Sequence, residues 1–333
     1  MKSGGAVLVG DVGGTHARFA VVDPKARPLA VQSRLDLPAD DFASFDAVLE
    51  AYIAHIGKAA CPDAAAIGVA GPVTRGAVDF TNRDWHASES GLHGMGFVRA
   101  LLINDFAATA FSVAALTPKD LRTIGPEIEG MAEEPVTVLG AGTGFGVSCL
   151  ARYRHLSVPV ATEGGHIGFA PQDETEIAVL VALERRLGRI SVERVLSGPG
   201  LENIHAALVE IGREGEEGHD IPSAAEIVEC AEAGDATAAR ALDMFCAIYG
   251  SVAGDLALAH GARGGVYIAG GIAKKIERHL RASHFRARFE DKGRLSGYVQ
   301  AIPTRLILND DAPFFGAALA SAEFGKEQGQ DSV

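Results

Sequence analysis

Two segments of the chain repeat one pattern: an apolar strand, a glycine turn that contains a threonine, and a second apolar strand. In the first segment, Ala6–Gly10 leads through Gly13-Gly14-Thr15 to Ala17–Val22. In the second, Val136–Leu139 leads into Gly140–Gly144 before the apolar pattern resumes. Glycines between apolar runs are typical of β-hairpins. Repetition of such a unit indicates internal duplication, so we predict two related units, each containing one hairpin.

Strands alternate with helices along the rest of the chain. Further strands are predicted at Ala65–Ala70, Ala100–Ile103 and Val266–Ala269. Helices are predicted at Ala47–Ile56, Phe106–Leu116, Ile177–Leu187, Ala224–Tyr249 and Phe314–Phe324. Gln300–Leu308 contains Pro303, which favours an edge strand because proline cannot donate to a neighbouring strand. This alternation is typical of an α/β fold with partly parallel sheets, and 333 residues suit two domains.

Composition argues against several classes of partner. The net charge of -13 disfavours binding to nucleic acid or to an anionic membrane, since both need a basic surface. The first apolar run is too short for a signal peptide, and no segment is expected to span a membrane. The 4 cysteines are far apart, which argues against a cysteine metal site. These features predict a cytoplasmic protein that binds phosphates through glycine amides, helix N-termini and a metal ion.

The first glycine turn suits a phosphate group. Gly13 and Gly14 expose backbone N–H groups without an obstructing Cβ, and the Thr15 hydroxyl can donate to a phosphate oxygen. Asp11, at the strand end, could hold Mg²⁺ through water, because Mg²⁺ keeps several of its waters. An ordinary β-turn in which Asp11 caps backbone N–H groups would have the same sequence. One such turn is therefore weak evidence by itself.

Two more glycine sites strengthen the phosphate interpretation. The second turn offers the same chemistry, without an acid, at Gly140, Gly142, Thr143 and Gly144. Two such turns could hold a polyphosphate from two sides. Gly270 and Gly271 follow a predicted strand and precede a helix, which would let a nucleoside lie against bare backbone. Close packing between helix and strand would explain the same pair equally well.

Asn104 and Asp105 stand where an apolar strand ends and a helix begins. Asn and Asp are common helix caps, and that role alone would explain them. Open α/β sheets, however, bind their ligands at the carboxyl ends of strands. A carboxylate at such a place can accept the proton of a hydroxyl during phosphoryl transfer. Asp105 is therefore the best candidate for a general base.

Three further polar residues suit a sugar. Glu163 and His166 flank two glycines, and Glu193 precedes a Gly-Pro-Gly turn. Carboxylate and imidazole groups can bind vicinal hydroxyls, each of which is both donor and acceptor. Exposed turn residues or a surface ion pair would explain each of them separately. The only tryptophan, Trp85, is expected in the core rather than against a sugar.

In this order, the motifs resemble those of the bacterial glucokinases. The resemblance extends from about Val7 to Ala320 and rests on Leu8–Thr15, Ile103–Phe106, Gly140–Gly144, Glu163–His166, Ser191–Gly200, Ala269–Ile272 and Phe289–Arg294. No cysteine-rich run follows His166, which separates the chain from the zinc-containing group of repressors and kinases. The family usually has Asn where this chain has His16, a difference that bears on nucleotide binding.

The resemblance implies an α/β fold of two ribonuclease-H-like (actin-like ATPase) domains that flank a deep cleft. Residues 1–113 with 313–333 would form the smaller domain and residues 114–312 the larger. It implies transfer of phosphate from MgATP to O6 of D-glucose, with Asp105 as catalytic base. The sugar would be bound by Asn104, Asp105, Glu163, His166 and Glu193. Asp11–Thr15 and Gly140–Gly144 would hold the phosphates, and Gly270-Gly271 would face the nucleoside. Relatives are commonly homodimers, so a homodimer is expected.

Other functions remain open on sequence alone. A kinase for mannose or glucosamine would need nearly the same residues, because those sugars differ from glucose at one carbon. A sugar sensor without catalysis would keep the sugar residues and would not need Asp105. A chaperone of similar fold would need a substrate domain, which this sequence does not indicate.

Overall fold

The computed structural model describes residues 5–80, 83–154, 156–212 and 221–327. By internal contacts the chain divides into two compact units. The first comprises residues 1–120, 157–161 and 309–333, and the second comprises residues 121–156 and 162–308. The division into functional domains at 113/114 and 312/313 stays a prediction.

The first unit contains a six-stranded sheet and a small hairpin. Its strands are β1 (Val7–Val12), β2 (His16–Val22), β3 (Val31–Pro38), β4 (Ala64–Val69), β5 (Ala77–Asp79), β6 (His86–Ser88), β7 (Arg99–Asn104) and β14 (Lys326–Glu327). The sheet order is β14-β7-β4-β1-β2-β3, while β5 pairs with β6. β1, β4 and β7 are parallel, and β2 is antiparallel to β1. β4 is buried along its whole length, as expected for a parallel strand covered on both faces.

The described residues of the first unit form four helices: α1 (Phe45–Ile56), α2 (Glu89–Gly94), α3 (Asp105–Ser112) and α12 (Ala312–Phe324). Ser44 caps α1 by accepting a hydrogen bond from the Ala47 amide at 3.1 Å. α3 and α12 pack so closely that a Cβ on Gly316 would lie 1.7 Å from the carbonyl oxygen of Ala108. Because α12 also packs on β1 and β4, distant parts of the chain share one core.

The second unit contains another six-stranded sheet. Its strands are β8 (Leu121–Thr123), β9 (Val136–Ala141), β10 (Phe145–Tyr153), β11 (Leu156–Thr162), β12 (Gly265–Ala269) and β13 (Thr304–Ile307). Of β11, residues 157–161 are counted with the first unit by internal contacts. The order is β11-β10-β9-β12-β13-β8, with β9, β12 and β13 parallel and β10 antiparallel to β9. Read in the opposite direction, this arrangement matches that of the first sheet, with β9 in the place of β1 and β10 in the place of β2. The structure thus shows the duplication that the two glycine hairpins predicted.

The helices of the second unit are α4 (Glu174–Leu187), α5 (Gly198–Gly212), α6 (Ala224–Glu232), α7 (Ala236–His260), α8 (Gly271–Lys275), α9 (Glu277–Ala282), α10 (Phe285–Glu290) and α11 (Ser296–Gln300). Short 3-10 turns occur in the chain at Ala39–Asp41, Pro118–Asp120, Gly164–His166, Val192–Arg194 and Gly293–Leu295. Tyr249 of α7 lies at the centre of an aromatic cluster with Phe145, Phe245 and Phe285.

The long helix α7 corrects one expectation. It has 25 residues and is apolar enough to cross a membrane by length and composition, although no such segment was expected. Of its most apolar window, 83% is buried inside the structure. That burial is typical of a core helix, since a helix that is apolar all round packs in a protein interior or in a membrane.

Three predicted elements differ from the structure. The helix predicted over Phe106–Leu116 ends at Ser112. The helix predicted over Ala224–Tyr249 is two helices, because Asp235 caps α7 through the Ala238 amide at 2.8 Å. The predicted edge strand is the inner strand β13, which lies between β12 and β8. Pro303 precedes that strand and only accepts a hydrogen bond, from the Val266 amide at 2.9 Å, so its missing N–H is not needed.

Candidate functional site

The first glycine turn connects β1 to β2. Within it, the Gly13 amide donates to the His16 carbonyl at 3.0 Å, and the Thr15 carbonyl accepts from the Ala39 amide at 2.9 Å. Among the described residues, the N–H groups of Gly14 and Thr15 have no acceptor. A Cβ on Gly13 would meet only the His16 carbonyl, at 3.9 Å. Packing therefore does not require glycine at this position, and a ligand could approach the turn.

Asp11 lies at the end of β1, directly opposite Arg18 of β2. The Arg18 Nη1 donates to the Asp11 carboxylate at 3.2 Å. Burial raises the pKa of the Asp11 carboxyl above its ordinary value, while the nearby guanidinium opposes that rise. The sequence interpretation did not include Arg18. The register of the hairpin would have identified it, because cross-strand neighbours share a face.

Asn104 and Asp105 divide the two roles that the sequence left open. Asn104 is the N-cap of α3, and its Oδ1 accepts from the Phe106 and Ala107 amides, both at 3.1 Å. Its side-chain N–H₂ donates to the Gly71 carbonyl at 3.2 Å. Asp105 is the first helical residue, and its Oδ1 accepts from the Phe106 amide at 2.9 Å. The capping role thus belongs mainly to Asn104.

The first turn and the base candidate lie at the same sheet edge. Val12 pairs with Val69 of β4, and Val69 pairs with Asn104 of β7. Because β1, β4 and β7 are parallel, their carboxyl ends form one edge of the sheet. The sheet therefore brings Asp11, Gly13, Gly14, Thr15, Asn104 and Asp105 to the same edge of the first unit.

The second glycine turn connects β9 to β10 in the second unit. The Gly142 amide donates to the Gly144 carbonyl at 2.8 Å, and the Gly142 carbonyl accepts from the Gly198 amide at 2.9 Å. A Cβ on Gly142 would meet no protein atom within 4 Å. Thr143 is exposed at the tip of the turn. Like Gly13 in the first turn, Gly142 is not required by packing.

Gly270 and Gly271 follow β12 at the same edge of the second sheet, since Ala269 pairs with Gly140. Gly270 has φ +88°, and a Cβ there would lie 2.4 Å from the Ala141 carbonyl oxygen. Both observations require glycine for packing, so the helix–strand explanation holds for Gly270. Gly271 begins α8, and a Cβ there would meet nothing within 4 Å. Gly271 therefore leaves open backbone at the end of β12.

Glu163 and His166 project from the 3-10 turn that follows β11. Both side chains are 60% exposed, with His166 Nε2 3.9 Å from Glu163 Oε2. The glycines between them press the turn against β10. A Cβ on Gly165 would lie 2.1 Å from the Phe145 carbonyl oxygen, and one on Gly164 would lie 2.9 Å from Val147. The two glycines thus place Glu163 and His166 beside the second glycine turn.

Glu193 is held against the end of the same turn. Its Oε2 accepts from the Phe145 amide at 2.8 Å. A Cβ on Gly144 would lie 2.5 Å from this oxygen. The suggestion that Glu193 is only a partner in a surface ion pair does not fit this contact. The second unit therefore groups Glu163, His166 and Glu193 with Gly140, Gly142, Thr143, Gly144, Gly270 and Gly271.

A cluster of metal ligands is absent from the part of the chain that the structure describes: no group of three His, Cys, Asp or Glu side chains could hold an ion there. A single carboxylate such as Asp11 is compatible with Mg²⁺, which is often bound by one or two carboxylates, water and substrate phosphates. The donors present thus fit a metal that arrives with a phosphorylated ligand.

A family model and a curated relative both match nearly the whole chain. The glucokinase family model matches residues 8–324. The curated glucokinase of Caulobacter sp. (strain K31) is 48% identical over 327 residues, which cover 98% of this chain and 98% of that protein.

Solved structures agree with the family match. The crystal structure of a glucokinase from an Antarctic psychrotroph has a TM-score of 0.86 and 34% identity, and covers 96% of this chain and 99% of that chain. A ROK family glucokinase from Streptomyces griseus, in complex with glucose and AMPPNP, has a TM-score of 0.62 and 21% identity, and covers 94% of this chain and 98% of that chain. At that identity the second likeness concerns the fold alone. The predicted α/β class with ribonuclease-H-like, actin-like units is confirmed, and the chain belongs to the glucokinase family.

Proposed function

We propose that this enzyme transfers the γ-phosphoryl group of ATP to O6 of D-glucose. The observation that carries the proposal is the match of the glucokinase family to residues 8–324, together with 48% identity to a curated glucokinase over nearly the full length of both chains. The glucose and AMPPNP bound to the Streptomyces griseus protein support the same pair of substrates.

Asp105 is proposed as the general base. It stands at the carboxyl end of β7, and one carboxylate oxygen is held by the Phe106 amide at 2.9 Å. That bond orients the side chain, and a carboxylate has lone pairs for several donors. Asn104 caps the helix, so Asp105 can accept the O6 proton without leaving α3 uncapped. Proton transfer of this kind contributes roughly 10²–10⁴-fold to a rate.

The sugar is proposed to bind to Asn104, Glu163, His166 and Glu193. Asn104 uses one side-chain N–H for Gly71 and has a second for a hydroxyl. Glu163 and His166 are exposed and adjacent, which gives an acceptor and a donor for vicinal hydroxyls. Glu193 has one oxygen on the Phe145 amide and lone pairs for a further donor. Such hydrogen bonds discriminate strongly against analogues that lack the matching hydroxyl.

The nucleotide is proposed to bind to both glycine turns and to Gly271. The N–H groups of Gly14 and Thr15 can donate to phosphate oxygens, as can the Thr15 and Thr143 hydroxyls. Asp11 would hold Mg²⁺ through water, and the ion would neutralise charge on the phosphates. The proposed ligands thus come from both units.

The proposal extends to the setting of the enzyme. We expect a cytoplasmic homodimer that binds neither nucleic acid nor membrane. The net charge of -13 supports the absence of those partners. The oligomeric state is checked by light scattering on the purified protein.

The decisive test is hexose-dependent release of ADP from MgATP. We expect turnover with glucose, and a loss of roughly 10²–10⁴-fold in kcat for Asp105→Asn and Asp105→Ala. Asp46→Asn is the matched control, because Asp46 is an exposed acid in the first turn of α1. Stimulation by mannose or glucosamine instead of glucose would make the enzyme a kinase of that hexose. Glucose binding without turnover would favour a sensor.

A further inference from the structure

Arg83 holds the first glycine turn from a distant part of the first unit. Its Nε and Nη2 both donate to the Gly14 carbonyl, at 3.1 and 2.5 Å. Its Nη1 donates to the Ala39 carbonyl at 3.0 Å, and Nη2 also contacts the Asp40 carboxylate at 2.9 Å. Only 14% of the side chain is exposed. The guanidinium group thus uses its fork of donors on the backbone around the turn.

These contacts fix the direction of an N–H group. The C=O of Gly14 and the N–H of Thr15 belong to one trans peptide, so they point in opposite directions. With the carbonyl held by Arg83, the Thr15 N–H must point away from the guanidinium. Among the described residues that N–H has no acceptor. A ligand with negatively charged oxygens would satisfy it.

A second tie keeps the turn from rotating. The Thr15 carbonyl accepts from the Ala39 amide at 2.9 Å, and the Ala39 carbonyl accepts from Arg83. Arg83 therefore binds the Gly14 carbonyl in the turn and the Ala39 carbonyl in the segment that contacts the turn. The guanidinium also stacks on Trp85, with 4.6 Å between its carbon and the ring centroid. Trp85 is only 5% exposed, so its ring is held by the core and restricts the position of the Arg83 guanidinium.

We propose that Arg83 is a positioning residue for the nucleotide phosphates: it presets the Gly13–Thr15 turn so that the Thr15 N–H faces the bound phosphate. The proposal rests on the proposed function, since it assumes that this turn binds ATP. Arg83 itself does not touch the substrate. Its effect comes from orienting backbone donors before the nucleotide arrives, which lowers the cost of ordering them on binding.

The test compares Arg83→Lys and Arg83→Gln with the wild type. Lysine keeps the charge and loses the planar fork, so a defect in Arg83→Lys reports orientation rather than charge. We expect KM for MgATP and Kd for AMPPNP, measured by calorimetry, to rise about tenfold. KM for glucose is expected to stay within about twofold, because the sugar residues make no contact with Arg83.

Arg27→Lys is the matched control. Arg27 lies in the same unit and donates to the Pro24 and Ala26 carbonyls at 2.9 and 2.7 Å. It lies in the loop that follows the far end of β2. This control shows what the loss of a guanidinium that binds backbone carbonyls does away from the turn, and we expect no change in either KM.

Each outcome decides the proposal. A purely structural role would lower kcat with the folded fraction and leave both KM values unchanged, which would overturn the inference. Melting of both variants below the assay temperature would make Arg83 a folding determinant and would also overturn it. If the wild type binds no nucleotide, the proposed function fails and this inference fails with it. If the wild type binds AMPPNP and the variants bind it equally well, only the inference fails.

Discussion

The carboxylate of Glu193 accepts a hydrogen bond from the Phe145 amide at 2.8 Å, one residue after the last glycine of the second turn. A proposed sugar ligand thus also supports the start of β10. A change at Glu193 should therefore affect both substrates. A change at Glu163, whose side chain is exposed, should affect only the sugar.

Glu193→Gln is expected to raise KM for glucose and KM for MgATP together, each by about tenfold, because a neutral acceptor binds the amide and a hydroxyl more weakly. Glu163→Gln is expected to raise only KM for glucose. Steady-state kinetics with each substrate varied in turn separate the two patterns. A change confined to glucose in Glu193→Gln would mean that the amide contact does not support the turn.

Two glycines of the second turn should respond differently to alanine. At Gly142 a Cβ meets no protein atom within 4 Å. Gly142→Ala should thus change the free energy of unfolding by less than about 1 kcal/mol. It should still raise KM for MgATP, since the methyl group occupies the space where a phosphate would approach. Steady-state kinetics test the expected change in KM, and urea unfolding of the same preparation tests the expected stability.

Gly144→Ala places a methyl group 2.5 Å from Glu193 Oε2, so the carboxylate must move. We expect weaker glucose binding and lower stability in this variant. If Gly142→Ala and Gly144→Ala behaved alike, the assignment of Gly142 to the ligand and of Gly144 to packing would be wrong.

Asp11→Asn should separate activity from stability. Burial raises the pKa of Asp11, which means that folding favours its neutral form over its charged form. At pH values above the folded-state pKa the wild type carries this charge, so a neutral isostere should raise the free energy of unfolding there. The gain should disappear as the pH falls through the folded-state pKa, where Asp11 itself is protonated. Urea unfolding in acid steps from pH 7 measures the trend.

The same Asp11→Asn protein should lose activity with MgATP, because the carboxylate proposed to hold the hydrated ion is gone. Increasing total Mg²⁺ should restore part of the rate. Full activity at low Mg²⁺ would remove Asp11 from the metal site.

Gly316→Ala tests the packing of α12 on α3. The added Cβ would lie 1.7 Å from the Ala108 carbonyl oxygen, so backbone must move. We expect a loss of about 3 kcal/mol in the free energy of unfolding. Gly297→Ala, where a Cβ meets nothing within 4 Å, is the control. Thermal melting of the two variants would show equal stability if the close approach were unimportant.

Local pattern predicted the parts of the site that depend on neighbours in sequence. The hairpins, the strand before Asn104 and the glycines after β12 were found because apolar runs and glycines define them within a few residues. The sequence does not reveal whether Asn104 or Asp105 caps α3, because both residue types are common caps and the two are adjacent. The edge strand predicted around Pro303 is wrong because that prediction rests only on the missing N–H of proline. In the structure Pro303 precedes β13, and its carbonyl accepts from the Val266 amide, a partner that the local sequence does not reveal.

Other parts of the site depend on contacts between distant residues. Arg83 reaches Gly14 across 69 positions and Glu193 reaches Phe145 across 48. An arginine in a loop and a glutamate near a turn carry no local signal for such partners. These partners meet only in the folded protein, where the sheets determine where each strand ends.

The packing of α12 on α3, β1 and β4 imposes an order on biosynthesis. The sheet that starts at Val7 is translated before the second unit, yet the helix that covers it is translated after every residue of the second unit. A ribosome-bound chain that has not reached Ala312 leaves the apolar faces of β1, β4 and α3 open to water and to chaperones. The helix that begins with Asp105 gains this packing partner only after α12 has been made, so the proposed base reaches its native surroundings later than its position in the sequence indicates.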